Sequence, residues 1–299
     1  MENQLLFRTK PLYVCIDKYE KYSFTYQGWN VSDNYVLNAN SPRHSQYSIC
    51  ITSPIIANQE ELAHYSFQGQ KIADIITKLI PISGLTSLNS PKFKNFYYNQ
   101  ALVDYKYAPD GWESNYNSVQ TSLNREYNDK MHVDITSQGF VHTSMLEQSP
   151  LLDIQHMLEH YDEVEEQIKF MLFLNDSILS ANDLNVFMLI GKALEIIYQI
   201  GTYSEPKWKK DKPIKNYFPE LAEILQEITF SNLLEWSNFR KESRHYVNKK
   251  GSKNIEAHVP LTKNERINLF RCTSCLNINV IRDAFKLPRK SSICWLNGV

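Results

Sequence analysis

LLDIQHMLEHYDEVEEQIKFMLFLNDSIL (residues 151–179) and DLNVFMLIGKALEIIYQI (residues 183–200) place apolar side chains at intervals of three and four. On a helix of 3.6 residues per turn, that spacing makes a continuous stripe. The first stripe runs over an acidic surface, and the second stretch is strongly apolar. Asp183 suits the cap of the second helix and Gly201 its end. A basic loop, KWKKDKPIK (207–215), follows. Beyond it, PELAEILQEITF (219–230), NLLEWSNFRKESRHYVNK (232–249) and KNERINLFRCTSCLNINVIRDAF (263–285) repeat the helical pattern. Pro219 suits a first turn, and Gly251 and Pro260 punctuate the gap between the last two stretches. Residues 146–299 thus read as an all-α bundle.

Upstream of Ser149-Pro150 the character changes. PLYVCI, YSFTYQGW and YSICITSPIIA are short, rich in Tyr, Val, Ile and Thr, and broken by Asn, Ser, Pro and Asp, the composition of strands and turns. A helix is expected over Asn58–Leu79, stopped by Pro81. The fold class is therefore two-domain α+β: a β-rich domain over residues 1–145 and a helical bundle over 146–299. No repeat of solenoid period and no low-complexity tract interrupts either part.

A chain of 299 residues that is 42% hydrophobic and 22% charged can bury two cores. The start, MENQLLFRTKPLYVCIDKY, lacks the pattern of a secretory signal, and no apolar run reaches the length of a membrane span. Five Cys are an odd number and too few for a disulfide scaffold. A cytoplasmic protein with no membrane partner is expected. Residues 1–140 carry 12 basic and 13 acidic side chains, residues 141–200 carry 2 and 10, and residues 201–299 carry 18 and 10. A basic final third suits a polyanionic partner, and equally a solvated helix face.

The chemistry centres on FRKESRHYV (239–247), with Arg240 and His245 five apart, Lys241 after the arginine and Arg244 before the histidine. RNA carries its own nucleophile in the ribose 2′-hydroxyl. Cutting it needs a proton acceptor, a proton donor for the leaving oxygen, and positive charge on the phosphorane. Histidine titrates near neutrality and serves as base or acid. Arginine is always charged and its planar fork matches phosphate oxygens. Neither role calls for a metal or another cofactor. On an ideal helix the two side chains lie about 140° apart, so convergence requires a distorted helix, long reaching side chains, or a cleft shared with a second subunit.

The stretch resembles the HEPN superfamily of helical-bundle proteins, many of them RNases with an Arg-x(4–6)-His motif. The resemblance covers residues 150–299: NVFMLIGKALEIIYQI is similar to the early core helix with its Ala-Leu-Glu element, FRKESRHYV to the motif helix, and RINLFRCTSCLNINVIRDAF to the closing helix. The residue after the motif arginine is commonly Asn in that family and is Lys241 here. The Apea-like branch, with an amino-terminal β-rich domain, looks nearest. The resemblance implies Arg240 and His245 as the catalytic pair of an endoribonuclease, a homodimer whose motifs meet, and products with 2′,3′-cyclic phosphate and 5′-hydroxyl ends. It also implies a role in antiphage defence or a toxin-like system, with tRNA or another host RNA as substrate, a phage-derived or antitoxin partner, and the β-rich domain as sensor or restraint. Lys241 and Arg244 would support the pair. Glu195, in the Ala-Leu-Glu element, would orient Arg240 or a water, or is a plain exposed helix glutamate. Tyr246 and Trp236 would stack on bases, core packing being the simpler role for Trp236, while Arg244, Lys249, Lys250 and Lys253 would follow the RNA backbone.

Other readings stand beside this one. The bundle can be a non-catalytic HEPN module for dimerisation or for binding a ligand or RNA. HMLEH, His156 to His160 with Glu159 between, matches the pattern of inverted zinc peptidases. Cys272-x2-Cys275 is half of a zinc site without its other half, and two buried helix cysteines are the simpler expectation.

Overall fold

The computed structural model describes residues 4–9, 12–37, 45–85, 112–115, 144–146, 148–180, 183–237 and 263–290. The chain divides into two compact units between Glu163 and Val164.

The first unit is α+β, built on strand β5 (Gln46–Thr52), every residue of which is buried. One edge of β5 pairs antiparallel with β4 (Trp29–Val36). The other is shared end to end by β1 (Leu6–Thr9) opposite Cys50–Thr52 and β2 (Leu12–Ile16) opposite Gln46 and Tyr47. Beyond them β6 (Trp112–Asn115) pairs antiparallel with β1, and β7 (Ser144–Leu146) parallel with β2. Strand β3 (Ser23–Tyr26) joins β4 through Gln27-Gly28, whose φ values of 48° and 84° are the paired positive angles a tight hairpin requires.

Directly paired residues share a face, so Phe7, Val31 and Ile51 line up across the sheet. Helix α1 (Gln59–Ser83) covers this face at Gly69: a Cβ there would lie 2.3 Å from Phe7 and 2.5 Å from Trp29. Asn58 caps α1 through its side chain, which accepts from Glu61 N–H. Pro81 does not stop the helix. It sits buried in the last turn between Ile80 and Ile82, and α1 ends at Gly84, whose φ is 95°. Burial of that turn outweighs the hydrogen bond proline cannot donate.

The stretch 151–179 is two helices. Helix α2 (Leu151–Glu159) packs with α1 and β3 in the first unit, whereas α3 (Glu166–Ser180) opens the second. Leu151, Ile154, Met157 and Leu158 of α2 are buried within the sheet's unit.

In the second unit, the described elements are helical apart from an isolated bridge, Pro213 to Thr229. α3 buries Ile168, Met171, Leu172, Asn175 and Ile178 along one stripe. α4 (Asp183–Tyr203) passes through Gly201 before it ends. A Cβ on Gly201 would lie 1.9 Å from the Trp208 ring, so this glycine is the seat of a tryptophan and no terminator. Pro219 opens a 3-10 turn (Pro219–Leu221) that runs into the short α5 (Ala222–Leu225). A helical stretch follows over 230–237, and α6 (Lys263–Ala284) packs against α3 and α4. From Cys272 to Arg282, every residue of α6 is buried.

Candidate functional site

Arg240, Lys241, Arg244, His245, Tyr246, Lys249, Lys250 and Lys253 lie outside the described residues. What is described is the frame that leads to them. The 230–237 stretch runs antiparallel to α4: Phe230 meets Tyr198 with ring centroids 5.5 Å apart, and a Cβ on Gly191 would come within 3.8 Å of Ser237. The absence of a side chain at Gly191 allows this approach. Ala193, Leu194, Ile196 and Ile197 hold α4 in the core. Glu195 points outward and is exposed, with its carboxylate 3.5 Å from Lys192 Nζ. Trp236 is half-buried.

The basic loop is held by aromatic rings. Trp208 stacks on Phe230 at 5.3 Å and 12°, meets Phe218 edge-on at 5.2 Å, and lies 5.8 Å from Tyr217. Arg289 ties this cluster to the end of α6: its guanidinium sits 4.4 Å over Phe218, donates to the Tyr217 carbonyl at 2.8 Å and forks onto Asp283. The hydrogen bonds to Asp283 raise the Arg289 pKa above its ordinary value.

Within the helical core, Asn277 Nδ2 donates to Asn175 Oδ1 at 3.2 Å. Asn175 Nδ2, Asn277 Oδ1 and Thr273 Oγ1 are buried and have no hydrogen-bond partner among the described residues. Thr273 and Asn277 are one turn apart on α6, so the three open valences face the seam between α3 and α6. Sequence reading passed over them because polar residues at those positions look like the solvent face of an amphipathic helix. Cys272 and Cys275 are buried free thiols on the same helix. Burial pushes Cys272 up to about 12 against the lowering effect of Arg271, and raises Cys275 well above its ordinary value. A thiolate, the form that ligates metal or attacks, is disfavoured at both.

The first unit holds a second polar centre that the sequence did not flag. Asp33 is 2% exposed. One carboxylate oxygen accepts from Tyr19 OH at 3.0 Å and Tyr22 N–H at 2.9 Å. The other accepts from Tyr47 OH at 3.1 Å and from Ser149 Oγ. Burial, then the Asp33 charge, raises the phenol pKa of both Tyr19 and Tyr47, so both remain donors. Ser149 also accepts from Leu151 N–H at 3.2 Å, which pins the start of α2 to the sheet.

His156 and His160 stack with centroids 4.4 Å apart, and a ring nitrogen of His160 lies 2.9 Å from the His156 carbonyl. Glu159 accepts from Gln155. Among the described residues no three His, Cys, Asp or Glu side chains gather as a metal site, so HMLEH has no third zinc ligand among them. Among the described residues, no helix is long and apolar enough to cross a membrane. No family model matches the chain, and no curated protein or solved structure was found to match it.

Proposed function

We propose that the protein is a metal-independent endoribonuclease of the HEPN type, with Arg240 and His245 as its catalytic pair. The observation that carries this reading is the Arg240-x4-His245 motif in a basic segment that follows directly on a helical stretch packed against an apolar core helix. In this scheme His245 takes the proton of the ribose 2′-hydroxyl or delivers one to the leaving 5′-oxygen. Arg240 neutralises charge on the phosphorane, and Lys241 and Arg244 add to the local potential. Two copies of the helical unit pair so that their motifs share a cleft, which resolves the angular separation of the two side chains on one helix. The first unit senses a trigger or restrains the nuclease, as in antiphage and toxin-like systems, through a phage-derived or antitoxin partner.

The test compares wild type with Arg240→Ala and His245→Ala on total tRNA in EDTA. The reading expects cleavage by wild type and a loss of at least about a hundredfold in each variant. Equal cleavage by all three assigns the cutting elsewhere. A folded wild type that never cuts leaves the bundle as a dimerisation or binding module.

A further inference from the structure

The motif is not the only concentration of positive charge in the helical unit. Lys207, Lys209, Lys210 and Lys212 are all exposed in the loop that follows α4. Among the described residues no carboxylate lies within ion-pair distance of Lys207, Lys209 or Lys212, whereas Lys215, at the loop's end, is paired with Glu227. Like charges this close repel, and a loop needed only for solubility would gain by staying loose. This loop is fixed instead. Trp208 N–H donates to the Gly201 carbonyl at 3.0 Å, Lys209 N–H to Tyr217 OH at 2.8 Å, Ser231 N–H to the Lys210 carbonyl at 3.0 Å, and Ile214 N–H to the Ile228 carbonyl at 2.9 Å. Lys210 Nζ sits 5.0 Å over the Tyr198 ring. At the last residue of α4, two after the Gly201 that seats Trp208, Tyr203 is 80% exposed.

We infer that the 207–212 loop and Tyr203 form a docking surface for the phosphate backbone of single-stranded RNA. The choice of RNA rests on the nuclease reading; the polyanion chemistry does not. Three ammonium groups with no ion-pair partner among the described residues, on a fixed backbone, match a row of phosphates, and holding them in advance lowers the ordering cost of binding. An exposed Tyr beside such a row offers a face on which a base can stack. An anionic lipid surface fits less well. Membrane docking uses several apolar side chains that enter the interface, and the loop's own tryptophan is packed against Phe230 and Phe218.

The probe is a fluorescent 2′-O-methyl oligoribonucleotide, which lacks the attacking hydroxyl and so separates binding from cutting. Anisotropy across a salt series should show Lys207→Ala/Lys209→Ala/Lys212→Ala binding at least about tenfold more weakly, with the salt slope shallower by about 2. The Lys→Arg triple should bind as wild type does. Tyr203→Ala should lose about tenfold with the slope unchanged. Lys18→Ala/Lys21→Ala/Lys286→Ala removes the same charge from exposed sites elsewhere and should bind as wild type does. The inference is overturned if wild type does not bind the probe, if the loop triple loses no more than this control, or if anionic vesicles compete the probe away. Binding through this loop without any cleavage of ordinary RNA would sink the nuclease reading alone. Cleavage that needs Arg240 and His245, with the loop triple unimpaired in binding, would sink this one alone.

Discussion

Each unit buries a polar centre, and the two are completed differently. In the first, the Asp33 carboxylate lies where a charge is costly, and four donors from β5, the 19–22 segment and the start of α2 meet its two oxygens. In the second, two amides and a hydroxyl are buried between α3 and α6, with one hydrogen bond between the amides and three polar atoms unmet among the described residues. A buried charge with every lone pair occupied binds its surroundings into one arrangement. Buried amides joined by a single bond constrain their surroundings less. The first centre is therefore completed by described residues, whereas the second has three polar atoms that no described residue meets.

Asp33→Ala should strain this contrast hardest. It leaves Tyr19 OH and Tyr22 N–H without their acceptor and Tyr47 and Ser149 with only each other, and a loss of about 3–5 kcal/mol is expected from urea unfolding of the full chain. A loss below about 1 kcal/mol would mean that water reaches the site and that Asp33 is not the keystone. The two crowded glycines come next. Helix propensity alone would make Gly69→Ala and Gly201→Ala stabilising by about 1 kcal/mol, but a Cβ at either position meets a ring at 2.5 Å or less. Net losses of up to about 3 kcal/mol are expected in thermal melts. Gly201→Ala should also weaken oligonucleotide binding by unseating Trp208 and the lysines around it.

The α3–α6 seam predicts a smaller and non-additive effect. Asn277→Leu alone should cost about 1–3 kcal/mol, because Asn175 then loses its one partner. Adding Asn175→Leu should recover most of that. Additive losses in the double-mutant cycle would show that the amides act separately.

The weakest effect near neutrality is alkaline. Cys272 ionises in the folded chain near 12, against about 8.5 in an unfolded one. The folded state thus holds its proton where the unfolded state releases it. The stability this provides is complete below pH about 8.5 and is lost as pH rises towards 12, at about 1.4 kcal/mol per pH unit for each such thiol. Cys272→Ala/Cys275→Ala should flatten that slope in urea titrations between pH 8 and 10. An unchanged slope would mean that the thiols are open to solvent.

Much of the fold was legible because it follows local rules. The apolar spacing over residues 58–79 announced α1, the apolar stripes announced α3 and α4, and short runs rich in Tyr, Val, Ile and Thr announced β2, β3 and β5. What was not legible depends on partners distant in sequence. Pro81 and Gly201 read as stops, yet a buried last turn and a tryptophan seat override them. Asp33 drew no notice because Tyr47 and Ser149, which donate to it, come from distant parts of the chain. The break between α2 and α3 carries no Gly or Pro to mark it; it follows from α2 packing on α1. The proposed chemistry rests on a spacing, Arg240 to His245, outside the described residues, and the lysine loop was visible as charge without the aromatic seat that fixes it.

The central claim is that this chain cuts RNA through the ribose 2′-hydroxyl without a metal. Total tRNA incubated with the wild-type protein in EDTA, with the product ends mapped, tests it most directly. The account predicts 2′,3′-cyclic phosphate and 5′-hydroxyl ends. Cleavage only on addition of a divalent metal, leaving 5′-phosphate ends, would contradict it.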